Sequence, residues 1–258
     1  MDLNLKGKNA LVCGSTQGIG KAAAMELSLL GANVTLVARN EEKLKAAIKD
    51  LHAGDHHYLV ADFSNPQDLE TKINALASEK TYHILINNTG GPPAGTIVNA
   101  STQEFLNAFN SHLICNHILA QALLPKMKLE KYGRIINIIS TSVKIPLKGL
   151  GVSNTIRAAV GNWSKTLASE VAPFGITVNN VLPGATKTTR LEGIIQNKAT
   201  NTSHTIDDVE KEMLAEIPAA RFGKPEEIAA AIAFLSTQAA GYITGTNVVV
   251  DGGRTGNL

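Results

Sequence analysis

The apolar run Leu11-Val12-Cys13 breaks into Gly14-Ser15-Thr16-Gln17-Gly18-Ile19-Gly20, where glycines recur at spacings of four and two. After Gly20, Ala23, Leu27 and Leu30 recur at helical spacing and Gly31 closes the pattern as a C-cap. A strand, a glycine turn and a helix N-terminus make a phosphate cradle. Bare backbone N–H groups point at the anion, the helix dipole favours negative charge, and the absent side chains of Gly14, Gly18 and Gly20 let a pyrophosphate approach. Ser15, Gln17 and Ile19 complete the loop. A glycine-rich surface turn is the ordinary alternative, so the rest of the chain must decide. Other unusual residues also fall where apolar runs end: Arg39, Asp62, Asn88-Thr89-Gly90-Gly91 and Pro183-Gly184. Together they point to a dinucleotide site along one sheet edge. Arg39 selects between cofactors. A site for NAD(H) usually carries an acid there for the ribose hydroxyl, whereas Ala38-Arg39-Asn40 offers a guanidinium for a 2′-phosphate. The expected cofactor is NADP(H) rather than NAD(H).

The elements that must hold these residues are legible from apolar patterning. Strands are expected at Asn9–Cys13, Asn33–Ala38, Tyr58–Ala61, Ile84–Asn88, Arg134–Ile139, Thr177–Val181 and Gly245–Val250. Long helices are expected from about Thr102 to Met127 and from about Val152 to Val171, the latter with Val152, Ile156, Val160 and Trp163 inward. Asn65-Pro66 reads as a cap followed by a first-turn proline. Near-continuously apolar strands alternating with helices predict an α/β fold: a doubly wound, parallel, seven-stranded sheet of Rossmann type with helices on both faces. The chain is read as one domain over residues 1–258, with no linker or repeat to divide it. The stretch Leu191 to Leu214 is polar and lacks an apolar run, and Thr205-Ile206-Asp207-Asp208 offers a helix cap within it. It is either a substrate lid over residues 191–214 or a plain surface loop.

Bulk properties exclude other classes. The chain has 258 residues, 44% hydrophobic and 18% charged, and a net charge of +2. That balance gives no electrostatic case for nucleic acid, and no apolar run approaches the ~20 residues of a membrane span. The N-terminal residues lack the apolar core of a signal peptide. Cys13 and Cys115 sit in apolar segments and are expected to be buried thiols, neither a disulfide nor a metal site. A cytoplasmic protein is the simplest account.

From about Leu5 onward the chain resembles the short-chain dehydrogenase/reductase family. The matching motifs are Gly14-x3-Gly18-Ile19-Gly20, Asp62, Asn87-Asn88-Thr89-Gly90, Gly133 to Ile138, Pro183-Gly184, Phe222-Gly223-x-Pro225-Glu226-Glu227-Ile228, Gly241 to Gly245 and Asp251-Gly252-Gly253. The resemblance implies a nicotinamide cofactor, adenine contacts near Asp62, and ribose or backbone contacts near Asn88 and Gly90. Residues after Pro183-Gly184, including Ala185 and Thr186, would lie near the nicotinamide. It also implies a small-molecule carbonyl or alcohol substrate and a homo-oligomer, tetramer or dimer, paired through the two long helices and the last helix and strand.

In the family a Ser, a Tyr thirteen residues later and a Lys four beyond it carry the chemistry, supported by an Asn in the preceding long helix. Here Ser140 stands at the serine position, Ser153 at the tyrosine, Arg157 at the lysine and His112 at the asparagine. A phenol near pKa ~10 can be tuned by a neighbouring ammonium, whereas an aliphatic hydroxyl is a far weaker acid. Arg157 can replace the positive charge and bond ribose hydroxyls but keeps its proton. Ser140 is expected to orient a substrate oxygen, or simply to bond backbone at its strand end. His112 titrates near neutrality when unperturbed. It could deliver the proton through water or Ser153, or it could be a packed, hydrogen-bonded histidine. Two functions follow: an NADP(H)-dependent oxidoreductase with a replaced constellation, or an NADP(H)-binding sensor or scaffold with weak or no catalysis.

Overall fold

The computed structural model describes residues 1–256. Seven parallel strands form one sheet in the order β3-β2-β1-β4-β5-β6-β7. They are β1 (Asn9–Cys13), β2 (Asn33–Ala38), β3 (His57–Val60), β4 (Ile84–Asn87), β5 (Gly133–Ile138), β6 (Ile176–Pro183) and β7 (Asn247–Val250). The intervening helices are α1 (Gly18–Leu29), α2 (Glu41–Ile48), α3 (Pro66–Glu79), α4 (Thr102–Phe109), α5 (Cys115–Leu129), α6 (Gly151–Val171), α7 (Thr189–Thr202), α8 (Ile206–Ala215) and α9 (Pro225–Leu235). After β3 the chain returns to pair β4 with β1, so the direction of winding reverses between those two strands. The crevice above their carboxyl ends is where such sheets bind ligands.

Strand alternation feeds two separate cores. Ala10, Val12, Ile84, Ile86, Ile136 and Ile138 face α1, α2 and α9 on one side. Leu11, Cys13, Leu85 and Ile135 face α3, α5 and α6 on the other. A period of two in a strand buried on both faces therefore looks apolar at every position. Capping follows the chain's own signals. Asn65 accepts from the Asp68 N–H ahead of Pro66, and Gly31 takes φ +93 just past α1.

Two expectations are corrected. The long helix from Thr102 to Met127 is interrupted: α4 and α5 are joined by a π-helical turn, Asn110–Ile114. The stretch 191–214 is no plain loop. It is helical, α7 and α8, with a small core of Leu191, Ile195, Ala199, Val209, Ile217 and Phe222. Leu191, Ile195 and Ala199 recur every fourth residue, which gives a helix stripe without any apolar run.

A ladder of asparagine amides crosses four strands in register. Asn87 Nδ2 donates to Asn137 Oδ1 at 2.8 Å, Asn137 Nδ2 to Asn180 Oδ1 at 3.0 Å, and Asn180 Nδ2 to Asn247 Oδ1 at 2.8 Å. Asn137 also donates to Ser164 Oγ on α6 at 3.2 Å. Burying these amides is tolerable only because they satisfy one another. Asn137→Ala strips partners from Asn87, Asn180 and Ser164 together and is expected to cost about 2–4 kcal/mol in urea unfolding. Asn247→Ala, at the ladder's end, is expected to cost about 1 kcal/mol. Equal losses would show that the ladder is not the coupled unit described here.

Candidate active site

The glycine turn is held by steric necessity. Gly14 and Gly18 adopt φ +59 and +55. A Cβ on Gly20 would lie 2.2 Å from the Gly14 carbonyl oxygen, and one on Gly14 would lie 2.7 Å from the Asn88 carbonyl oxygen. The Asn88 side chain donates to the carbonyls of Cys13 at 3.3 Å and Gly14 at 3.1 Å, tying β4 to the turn. α1 opens behind an extended Gln17 with no side-chain cap and no acid in its first turn. Its first N–H groups are therefore free for an anion, and the residues present fit a dinucleotide pyrophosphate.

The remaining cofactor candidates divide. Ser15 is fully buried, and its Oγ accepts from the Val37 N–H at 3.1 Å. Its side chain therefore faces β2 and not the cleft, which leaves its backbone as the part open to a cofactor. Ile19 packs on the core shared with α1, and Gln17 reaches Thr189 Oγ1 across the cleft at 3.2 Å. Arg39 is exposed at the end of β2 and has no ion-pair partner among the described residues. Asp62 accepts from the Ser64 N–H at 2.9 Å; that bond, with the charge of Arg39 nearby, holds its carboxyl below the usual range. Gly90 is exposed, with open space where a Cβ would stand. Pro183 closes β6, Gly184 lies too close to Asp251 for any side chain, and Thr186 spends its hydroxyl on the Gly184 carbonyl at 3.0 Å.

At the ends of β4 and β5 the structure gathers a second polar group. A small cavity there is lined by Asn87, Asn88, His112, Asn116 and Arg157. Arg157 Nη1 donates to the Ile138 carbonyl at 3.0 Å, while its Nε is sealed from solvent without a partner, as is Asn87 Oδ1. Burial and the nearby Arg190 charge lower Arg157 to about 10, so it remains a cation at neutral pH. Ser140 stands two residues past Ile138, and its Oγ accepts from the Ser142 N–H at 3.1 Å, leaving its own proton free to donate. Ser153 is buried one helical turn before Arg157 on α6.

His112 occupies the π-helical turn and is almost fully buried. Burial, then the charges of Arg157 and Arg190, push its imidazole down to about 2 against the opposing effect of a bond to the Gly90 backbone. The expectation that this group titrates near neutrality is therefore corrected: two guanidinium charges and a dry setting keep it neutral.

Residues that patterning did not single out complete the surroundings. Arg190, in the first turn of α7, donates from Nη1 to the Gly91 carbonyl and from Nη2 to the Pro92 carbonyl, both at 3.1 Å. Asn116 borders the small cavity one turn along from His112. The partners of Arg190 lie almost a hundred residues away, and no local pattern marks them. A separate cavity of about 780 Å³ lies against α7 and α8 near the start of α9, lined by Leu191, Leu214, Phe222 and Glu227 among others, and by none of His112, Ser140, Ser153 or Arg157.

Comparison with known proteins places the chain in a family. The enoyl-(acyl carrier protein) reductase family model matches residues 14–255. A 3-oxoacyl-[acyl-carrier-protein] reductase of Haemophilus influenzae is 35% identical over 254 residues, covering 96% of this chain and 98% of that protein. A chloroplastic tropinone reductase homolog of Arabidopsis thaliana is 32% identical over 258 residues, covering 98% of this chain and 77% of that protein. The L-sorbose reductase of Gluconobacter frateurii, solved with NADPH and L-sorbose, superposes with a TM-score of 0.92 at 29% identity over the whole of both chains. With its seven-stranded doubly wound sheet and uncapped glycine turn, the chain belongs to the short-chain dehydrogenase/reductase family.

Proposed function

We propose that this protein is an NADP(H)-dependent oxidoreductase that interconverts a carbonyl and an alcohol through His112, Ser140, Ser153 and Arg157. The observation that carries the reading is the buried Arg157 cation, beside His112 on a small cavity at the ends of β4 and β5 and bonded to the Ile138 carbonyl two residues before Ser140, next to an intact dinucleotide cradle at β1. When bound, NADPH supplies a hydride to a carbonyl carbon. Gly14, Gly18, Gly20 and the open N-terminus of α1 would hold its pyrophosphate, Arg39 its 2′-phosphate, and Arg157 its nicotinamide ribose. Support for NADP(H) over NAD(H) comes from Arg39 and from the NADPH of the sorbose reductase complex.

Without a phenol, the residues here act on the developing alkoxide by charge and by hydrogen bonding. Ser140 donates its free proton to the substrate oxygen, because its lone pair already serves the Ser142 N–H. The Arg157 cation, in a largely dry site, stabilises negative charge on that oxygen. Neutral His112 orients the Gly90 loop, and the proton reaches the alkoxide from solvent. The apolar Leu106 and Phe109 remain exposed on α4, which supports a homo-oligomer assembled through the long helices. A sensor or scaffold without catalysis is the outcome if NADPH binds and no carbonyl is reduced.

Calorimetric titration is expected to give tighter binding for NADPH than for NADH. Arg39→Ala should weaken NADPH by about tenfold to a hundredfold, the worth of charge-assisted hydrogen bonds, and change NADH little. NADH binding as tight as NADPH would refute the cofactor assignment. Against a panel of ketones, diketones, quinones and β-ketoacyl thioesters, Ser140→Ala should lower kcat/KM by about 10²–10³ while leaving NADPH affinity nearly unchanged. An unaffected kcat/KM would remove Ser140 from the chemistry. His112 predicts a stability slope. Below its unperturbed value of 6.5 the unfolded chain binds a proton here, and the folded chain does not until about 2. Stability should therefore fall as pH drops below about 6.5, by at most ~1.4 kcal/mol per pH unit from this group. His112→Asn should flatten that slope between about pH 6 and 4, and an unchanged slope would contradict the neutral, buried imidazole.

A further inference from the structure

The chain's six arginines are partnered in three ways. Arg221 and Arg254 pair on the surface with Glu227 and Glu216. Arg134, fully buried, donates to the carbonyls of Gly133, Gly175 and Thr237 and to Gln238 Oε1, and it lies over the Tyr132 ring. Arg39, Arg157 and Arg190 have no carboxylate partner among the described residues: Arg39 follows β2, Arg157 lines the small cavity at the ends of β4 and β5, and Arg190 is bonded to the loop after β4. A cation held partly out of water without a counter-charge is costly, and two that face each other cost more.

Arg39 belongs to the end of β2. Arg157 and Arg190 belong to the ends of β4 and β5, across the switch point from the α1 N-terminus and from Arg39. The pyrophosphate and the 2′-phosphate are thus provided for elsewhere. Arg190 is also seated with care. Gly91 has no side chain, and a Cβ there would lie 2.5 Å from Arg190 Nη2, so the glycine admits the guanidinium onto the loop. The Gly91 and Pro92 carbonyls use two of its five N–H donors. The residue remains exposed. Arg157 and His112 lie within reach of the Arg190 charge: beyond the effect of burial, Arg190 lowers Arg157, and both arginines lower His112.

We propose that Arg190, backed by the charge of Arg157, is an anion-recognition site at the mouth of the carbonyl pocket, and that the substrate is a carbonyl compound bearing a carboxylate. The inference rests on the oxidoreductase reading and names its substrate class. The planar guanidinium fork of Arg190 meets a carboxylate through its unused donors. The bound anion supplies the counter-charge that the protein itself omits.

The test begins with NADPH titrated into the protein by calorimetry. Oxamate, its neutral ethyl ester and inorganic phosphate are then titrated separately into the NADPH-loaded protein. Oxamate is expected to bind at least tenfold tighter than ethyl oxamate and tighter than phosphate. Arg190→Gln should abolish the preference for oxamate over the ester, and Arg190→Lys should retain part of it. Equal binding of oxamate and ester, or a preference that survives Arg190→Gln, overturns the proposal. Phosphate binding tighter than oxamate overturns the carboxylate assignment. Failure to bind NADPH in the first titration overturns the cofactor reading on which the inference stands, and that failure is visible before any anion is added.

Discussion

The Asn88 side chain donates to the carbonyls of Cys13 and Gly14, and through these two bonds the end of β4 is fastened to the glycine turn after β1. The rest of the site depends on that junction. It sits where the winding of the sheet reverses, so two loops leave in opposite directions and open a crevice between them. The approach is close enough that Gly14 and Gly20 tolerate no Cβ. The turn can be that tight only with glycine, and the tightness leaves the first N–H groups of α1 pointing into the crevice without a cap. Backbone sterics at one strand end thereby create the anion site.

Behind the junction, polar groups cross the sheet interior as a connected series. The asparagine ladder runs from β7 to Asn87, which lines the same small cavity as Arg157, and Asn87 Oδ1 and Arg157 Nε are both buried without a partner. Such networks fix strand register because a slip of one residue would leave every amide unpaired. Arg157, within α6, places its Nη1 on the carbonyl of Ile138 at the end of β5. The positive charge it carries is accompanied by Arg190 and by an imidazole that both arginines keep neutral. The local field is strongly positive, which suits a site where an oxygen gains negative charge.

Much of the scaffold was legible in the sequence because parallel strands buried on both faces must be apolar throughout. β1 and β2 coincide with their expected limits, while β3 and β7 shift by one or two residues at ends where turn chemistry competes. The glycine turn and the caps at Asn65 and Thr205 were also legible, since each is a local rule written in neighbouring residues. What escaped depends on distance or on context. The π-helical turn that carries His112 breaks a helix whose apolar spacing looks continuous. The core stripe of α7, Leu191, Ile195 and Ala199, spreads over every fourth residue. Arg190 acquires meaning only from Gly91 and Pro92, and the neutrality of His112 only from burial beside two guanidiniums. That the Ser15 hydroxyl turns to β2 follows from its contact with Val37, twenty-two residues on, which no local pattern marks.

The central claim is that the positive charge at residue 157 takes over part of the work of a missing phenol and ammonium. The most direct measurement is single-turnover hydride transfer from bound NADPH to an activated diketone, followed by stopped flow in Arg157→Lys and Arg157→Met beside the unaltered protein. The account predicts transfer within about tenfold of the original in Arg157→Lys, which keeps the charge, and a loss of about 10²–10³ in Arg157→Met, which removes it. An Arg157→Met protein that transfers hydride as fast as the original would contradict the account.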